Sequence, residues 1–109
     1  MGRKSKLSGT TYQAKTGCGT LYITINEDEG KPIEVFTTMG KSGGCASSQS
    51  ETIGRLISLS LKNEIGLDKI IKQMAGISCH AHITVDGDVI LSCSDAIAKI
   101  LTQYLSEKH

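Results

Sequence analysis

The sequence predicts an α+β fold, a small antiparallel sheet with helices packed on one face. Three observations carry that prediction. Apolar residues alternate with polar ones in the first half of the chain, as in Leu21, Ile23 and Ile25 against Tyr22, Thr24 and Asn26, which is the two-residue period of a half-buried strand. Later stretches repeat their apolar residues every three or four positions, as a helix does. Turn-forming dipeptides and glycines separate these stretches, and strands that precede helices suit an α+β arrangement.

Residues 1–11 read as a flexible lead with a short basic cluster, Arg3, Lys4 and Lys6. A strand-like stretch starts at Tyr12 and runs toward Thr16-Gly17-Cys18-Gly19. The alternating segment follows, and Asn26-Glu27-Asp28-Glu29-Gly30 is turn chemistry. Ile33, Val35 and Phe36 open a second arm reaching about Met39, so the pair reads as an antiparallel hairpin. The glycine-rich link Gly40-Lys41-Ser42-Gly43-Gly44 precedes Cys45, and a helix is expected from about Ala46 or Ser47 with Ile53, Leu56, Ile57 and Leu61 inward. Asn63 to Gly66 breaks it. A shorter helix carries Leu67, Ile70, Ile71 and Met74, with Gly76 where a C-terminal cap belongs. His80 to Val85 is a strand, Asp86-Gly87 is a two-residue hairpin signal, and Val89 to Leu91 is the return arm. The last helix is expected to use Ser94 as its N-cap and to bury Ile97, Ile100, Leu101, Tyr104 and Leu105.

A length of 109 residues fits one domain. With one Phe, three Tyr and no Trp, the core must be aliphatic. A net charge of +1 implies no general attraction to nucleic acid. No apolar run approaches the roughly 20 residues that span a bilayer, and no apolar signal segment follows the basic start. The protein is therefore read as cytoplasmic with no membrane partner. Disulfides are rare in that compartment, so the four cysteines point to metal or thiol chemistry.

Cys18, Cys45, Cys79 and Cys93 all fall at element boundaries, where core-packing cysteines are less expected. Glycines flank Cys18 and precede Cys45 and allow close backbone approaches. Cys45 and Cys93 stand at expected helix starts, which favour negative charge and so suit thiolates. No CxxC pair occurs, so a site must be assembled by the fold from distant segments. His80 and His82, one strand step apart on the same face, are candidate additional ligands, and His109 is terminal. The glycine run 40–44 matches no phosphate-binding fingerprint and reads as a turn presenting Cys45.

At two places the residues resemble a known family. Met39-Gly40-Lys41-Ser42-Gly43-Gly44-Cys45 and Leu91-Ser92-Cys93-Ser94-Asp95-Ala96-Ile97-Ala98 resemble the two signatures of the TSCPD domain. That domain ends adenosylcobalamin-dependent (class II) ribonucleotide reductases and also occurs as short free-standing proteins. Thr16 to Gly19 and Gly76 to Cys79 look like further family positions, and the resemblance covers residues 8–105. The name would read Thr-Ser-Cys-Pro-Asp, so Leu91 and Ser94 depart from it while Cys93 is kept. The resemblance implies a single TSCPD-like metal-binding domain over residues 12–107. A more distant resemblance is to iron–sulfur scaffold proteins of the IscU/NifU type, through Cys18-Gly19, Gly44-Cys45-Ala46-Ser47-Ser48 and Cys93. It implies an IscU-like fold, although Thr20 and Ser92 replace an Asp and a His of the scaffold pattern.

The expectation that follows is a zinc ion held by Cys18, Cys45, Cys79 and Cys93 in a closed, structural site. The resemblance implies a role in deoxyribonucleotide synthesis beside a ribonucleotide reductase catalytic subunit or a related protein. No catalysis is expected of the chain alone: it is too short for the reductase barrel and has no vicinal cysteine pair. Two alternatives stand beside this reading: an iron–sulfur cluster scaffold or carrier, and a thiol redox partner using a pair such as Cys79 and Cys93.

Overall fold

The alternating half of the chain forms three long antiparallel strands, β1 (Ser8–Thr16), β2 (Gly19–Asp28) and β3 (Lys31–Gly40). Two helices follow, α1 (Gly44–Lys62) and α2 (Leu67–Met74). A short hairpin of β4 (Ile83–Val85) and β5 (Asp88–Ile90) then leads into α3 (Cys93–Lys108). The structure is a computed structural model that describes residues 5–40, 44–78 and 83–108, with residues 44–46 by backbone alone. The class is α+β, as the sequence predicts. β1 opens at Ser8 and so takes in residues 8–11 of the expected lead. The strands form two separate sheets, β1-β2-β3 and β4-β5.

Register explains the core. Tyr12 faces Ile23, which faces Thr37, and Ile25 faces Val35. Residues two apart share a face, so Leu21, Ile23 and Ile25 join Val35 and Met39 on the buried side. The other face shows Tyr22 and Phe36, 40% and 52% exposed. Two of the three tight hairpins close on a pair of positive φ angles: Glu29 and Gly30 at 54° and 79°, Asp86 and Gly87 at 51° and 81°. That pair defines the type I′ turn, whose twist matches the strands it joins and which favours Asp-Gly.

Against this face lies α3. Ala96, Ile97, Ala98, Ile100, Leu101 and Tyr104 are all buried, because the helix packs on α2 as well as on β1, β2 and β5. Leu67, Ile70 and Met74 complete the same core from α2.

Helix α1 does something different. The Ser58 hydroxyl accepts from the Val35 N–H at 2.9 Å and donates to the Val35 carbonyl at 3.0 Å. The Thr37 hydroxyl donates to the Ser50 carbonyl. A Cβ at Gly54 would come within 3.1 Å of Thr37 Oγ1, so the missing side chain lets the helix lie this close. The helix thus runs along the outer edge of β3 and satisfies backbone groups that a further strand would otherwise use. Ile57 is buried, but Leu56, expected inward, is 58% exposed. The helical period is right; a helix at a sheet's edge buries a narrower stripe than one lying over its face. No helix among the described residues is long and apolar enough to cross a membrane.

Candidate metal-binding end of the fold

The site is built upward from the β1–β2 turn. Thr16 pairs with Gly19 and leaves Gly17-Cys18 as a two-residue loop. The buried Thr16 hydroxyl organises it. Oγ1 donates to the Gly19 carbonyl at 2.8 Å, accepts from the Cys18 N–H at 3.1 Å, and lies 3.8 Å from Cys93 Sγ. The hydroxyl has one hydrogen, and that hydrogen serves Gly19, so the sulfur contact runs from the Cys93 S–H toward Oγ1. Two cysteines that are 75 positions apart thus flank one hydroxyl. Both thiols are half-buried and neither is in a disulfide.

Cys93 is the first residue of α3. Its cap is Ser92, one residue before it, and not the expected Ser94. Ser92 Oγ accepts from the Asp95 N–H at 3.0 Å, and the Ser92 carbonyl accepts from the Ala96 N–H at 2.9 Å. This is the N-cap pattern, in which the side chain satisfies the third helical N–H. The same hydroxyl donates to the Ile77 carbonyl. Asp95, only 4% exposed, accepts from the Gly76 N–H at 3.0 Å through one oxygen and from the Leu91 N–H at 3.1 Å through the other. Lys99 Nζ, 3.9 Å from Asp95 and 3.4 Å from Asp88, adds a compensating charge.

Cys45 is the second residue of α1, and its side chain lies outside the described residues, as do Cys79, His80, His82 and His109. Described residues that precede Cys45 and Cys79 in the chain are anchored. Gly40, which ends β3, pairs with Thr20, two residues from Cys18, and α1 begins at Gly44. Ile77, two residues before Cys79, is tied to Ser92, next to Cys93. Among the described residues no group of three or more metal-ligating side chains forms. Thiolates are soft donors that suit zinc or an iron–sulfur cluster, and Cys18 and Cys93 are donors of that type.

The opposite end of α3 carries a different polar cluster. Tyr104 donates to Glu27, Lys108 Nζ lies 3.0 Å from the same Glu27 oxygen, and Tyr12 donates to Glu107 at 2.6 Å. Burial, then the Glu107 hydrogen bond, pushes the Tyr12 phenol up to about 12. Burial, then Glu27, pushes Tyr104 up as well. The Tyr104 hydrogen bond, then that of Lys108, holds Glu27 below the usual carboxylate range, and Tyr12 and then Gln103 do the same for Glu107. These phenols stay protonated and these carboxylates stay charged at neutral pH, so the cluster is a clasp with no group poised for proton transfer.

A family model for the TSCPD domain matches residues 2–105. The chain belongs to the TSCPD domain family. No curated protein and no solved structure matches it, so the likeness to IscU/NifU scaffolds stands on the sequence alone. In this TSCPD chain the signature stretch has a readable physical meaning. Ser92 caps α3, Cys93 opens it, and Asp95 binds two backbone N–H groups. Sequence reasoning passed over Thr16 and Asp95. The spacing Ser92-x-x-Asp95 is a capping-box signal that could have exposed the second; nothing local marks the first.

Proposed function

We propose that this TSCPD chain is a small metal-binding module in which Cys18, Cys45, Cys79 and Cys93 hold a zinc ion. It acts as an accessory to an adenosylcobalamin-dependent ribonucleotide reductase catalytic subunit, or a related protein of deoxyribonucleotide synthesis, with no catalysis of its own. The observation that carries the metal reading is that the Thr16 hydroxyl contacts both the Cys18 backbone N–H and the Cys93 thiol, which places these two residues at one end of the fold. The ties that bring Gly40 beside Thr20 and Ile77 beside Ser92 support it, since Gly40 and Ile77 come shortly before Cys45 and Cys79 in the chain. Four thiolates around zinc would supply a closed tetrahedral centre whose work is structural. Family membership supports the reductase link. The cytoplasm, where thiols stay reduced, is the compartment this chemistry needs.

Elemental analysis of anaerobically purified protein tests the metal. About one zinc per chain is expected, in the manner of a four-cysteine site, with loss on Cys→Ser substitution at any of the four positions. A brown, iron-containing preparation would instead favour the cluster scaffold. Metal-free protein with a reversible two-electron disulfide would favour the redox partner. Calorimetric titration into an adenosylcobalamin-dependent reductase catalytic subunit tests the accessory role, and absence of binding would remove it.

A further inference from the structure

Large apolar side chains that solvent reaches gather around α1 and α2. Leu56 and Leu59 are on α1, and Ile65 and Ile77 are on the links that flank α2. Leu56 and Ile65, 58% and 43% exposed, line an open groove of about 450 Å³ between the two helices. Its floor is Ile57 of α1 with Ile70 and Met74 of α2, all buried. Single exposed apolar residues are ordinary on a protein surface, whereas a contiguous apolar groove marks a place where something binds.

The polar part of the lining is Ser60, Lys69, Gln73 and Ser94. Lys69 alone of these is charged, and no carboxylate lines the groove among the described residues. No ion pair reaches Lys69 among the described residues either. Shape and charge together select the occupant. A small-molecule pocket covers most of its ligand, but here the walls at Leu56 and Ile65 stand open to solvent. A furrow between two helices suits the apolar stripe of a third. A second copy that pairs groove to groove brings Lys69 no anion, because the lining contains none. Charge at the rim of an interface decides between partners, so the occupant has to carry its own carboxylate. We propose that the α1–α2 groove docks an amphipathic helix of a partner protein. The apolar stripe of that helix lies in the groove, and a carboxylate beside the stripe faces Lys69. The proposal does not depend on the metal reading.

The test uses the full chain and two labelled, helix-stapled peptides. Both carry leucines at i, i+3, i+4 and i+7; one has glutamates beside that stripe and the other lysines. Fluorescence anisotropy gives the affinities, and amide chemical shifts locate the bound peptide. The glutamate peptide should bind about fivefold more tightly than the lysine peptide, with shifts centred on Ile57, Ile70 and Met74. Lys69→Glu should invert that preference. Leu56→Ala should weaken both peptides about tenfold, while Phe36→Thr, on the open face of the sheet, should change neither. Equal affinity for the two peptides, a preference that survives Lys69→Glu, or no binding of either overturns the proposal. Two other results overturn it by naming a different occupant. A dimer in sedimentation equilibrium that Leu56→Ala dissociates assigns the groove to a second copy. Decanoate that shifts the same amides when neither peptide does assigns it to a small amphiphile.

Discussion

Helix α3 is finished differently at its two ends. At the C-terminal end, side chains pair with side chains: Tyr104 and Lys108 with Glu27, Tyr12 and Gln103 with Glu107. The polar side chains there satisfy one another. At the N-terminal end, Ser92 and Asp95 pair with backbone, and the Cys93 thiol is left with a long 3.8 Å contact to Thr16. A thiol is a weak hydrogen-bonding group. The first end is a clasp that belongs to the fold. The second ties the segments that follow α2 and β5 to the start of α3.

The largest expected effect comes from removing a thiolate. Cys45→Ser, or chelation of the wild type, should cost about 4 kcal/mol and lower Tm by roughly 20 °C, as for structural zinc in a domain of this size. Calorimetry with parallel zinc analysis checks it, and equal melting with equal zinc content in the mutant would erase the contrast between the ends. Tyr104→Phe should come next, at about 2 kcal/mol for a hydrogen bond to a charged group, with zinc content untouched. Loss of zinc in that variant would show that the two ends are not independent.

Two smaller effects follow from titration. Glu27 has a folded pKa below its ordinary 4.5. Its contribution is therefore present above that ordinary value and is lost as pH falls through the lower folded one. Denaturant midpoints should drop in that acid window, and less so in Tyr104→Phe. Tyr12 shifts the other way, from 10.0 to about 12. Its contribution is complete below pH 10.0 and declines as pH climbs toward about 12, so Tyr12→Phe should flatten the alkaline limb. A zinc-loaded wild type with no alkaline slope in this range would remove the Tyr12–Glu107 half of the clasp.

The sequence made the strands and hairpins plain because their causes are local. Leu21, Ile23 and Ile25 alternate, and Asp86-Gly87 sits where two positive φ angles are needed. The buried stripe of α3 was legible for the same reason. What stayed hidden depends on distant partners. Ser92 and Ser94 are equally good caps on paper, and contacts with Ile77 and Asp95 distinguish them. Nothing local shows that Asp95 is buried, because Gly76, which follows α2, meets it only in the folded chain. Leu56 follows the helical period yet faces outward, because only the folded chain reveals that α1 flanks β3. For the site, placement at element boundaries singled out Cys18 and Cys93, but the hydroxyl that joins them could not be seen in a stretch as plain as Thr16-Gly17-Cys18.

The two hydrogen bonds between Ser58 and Val35 have a consequence for the edge of the sheet. Backbone pairing between neighbours needs a bare strand flank on each. In the three-stranded sheet the β3 flank is covered at Val35, and among the described residues the other flank is β1. Any strand added to this sheet at Val35 would first have to displace Ser58.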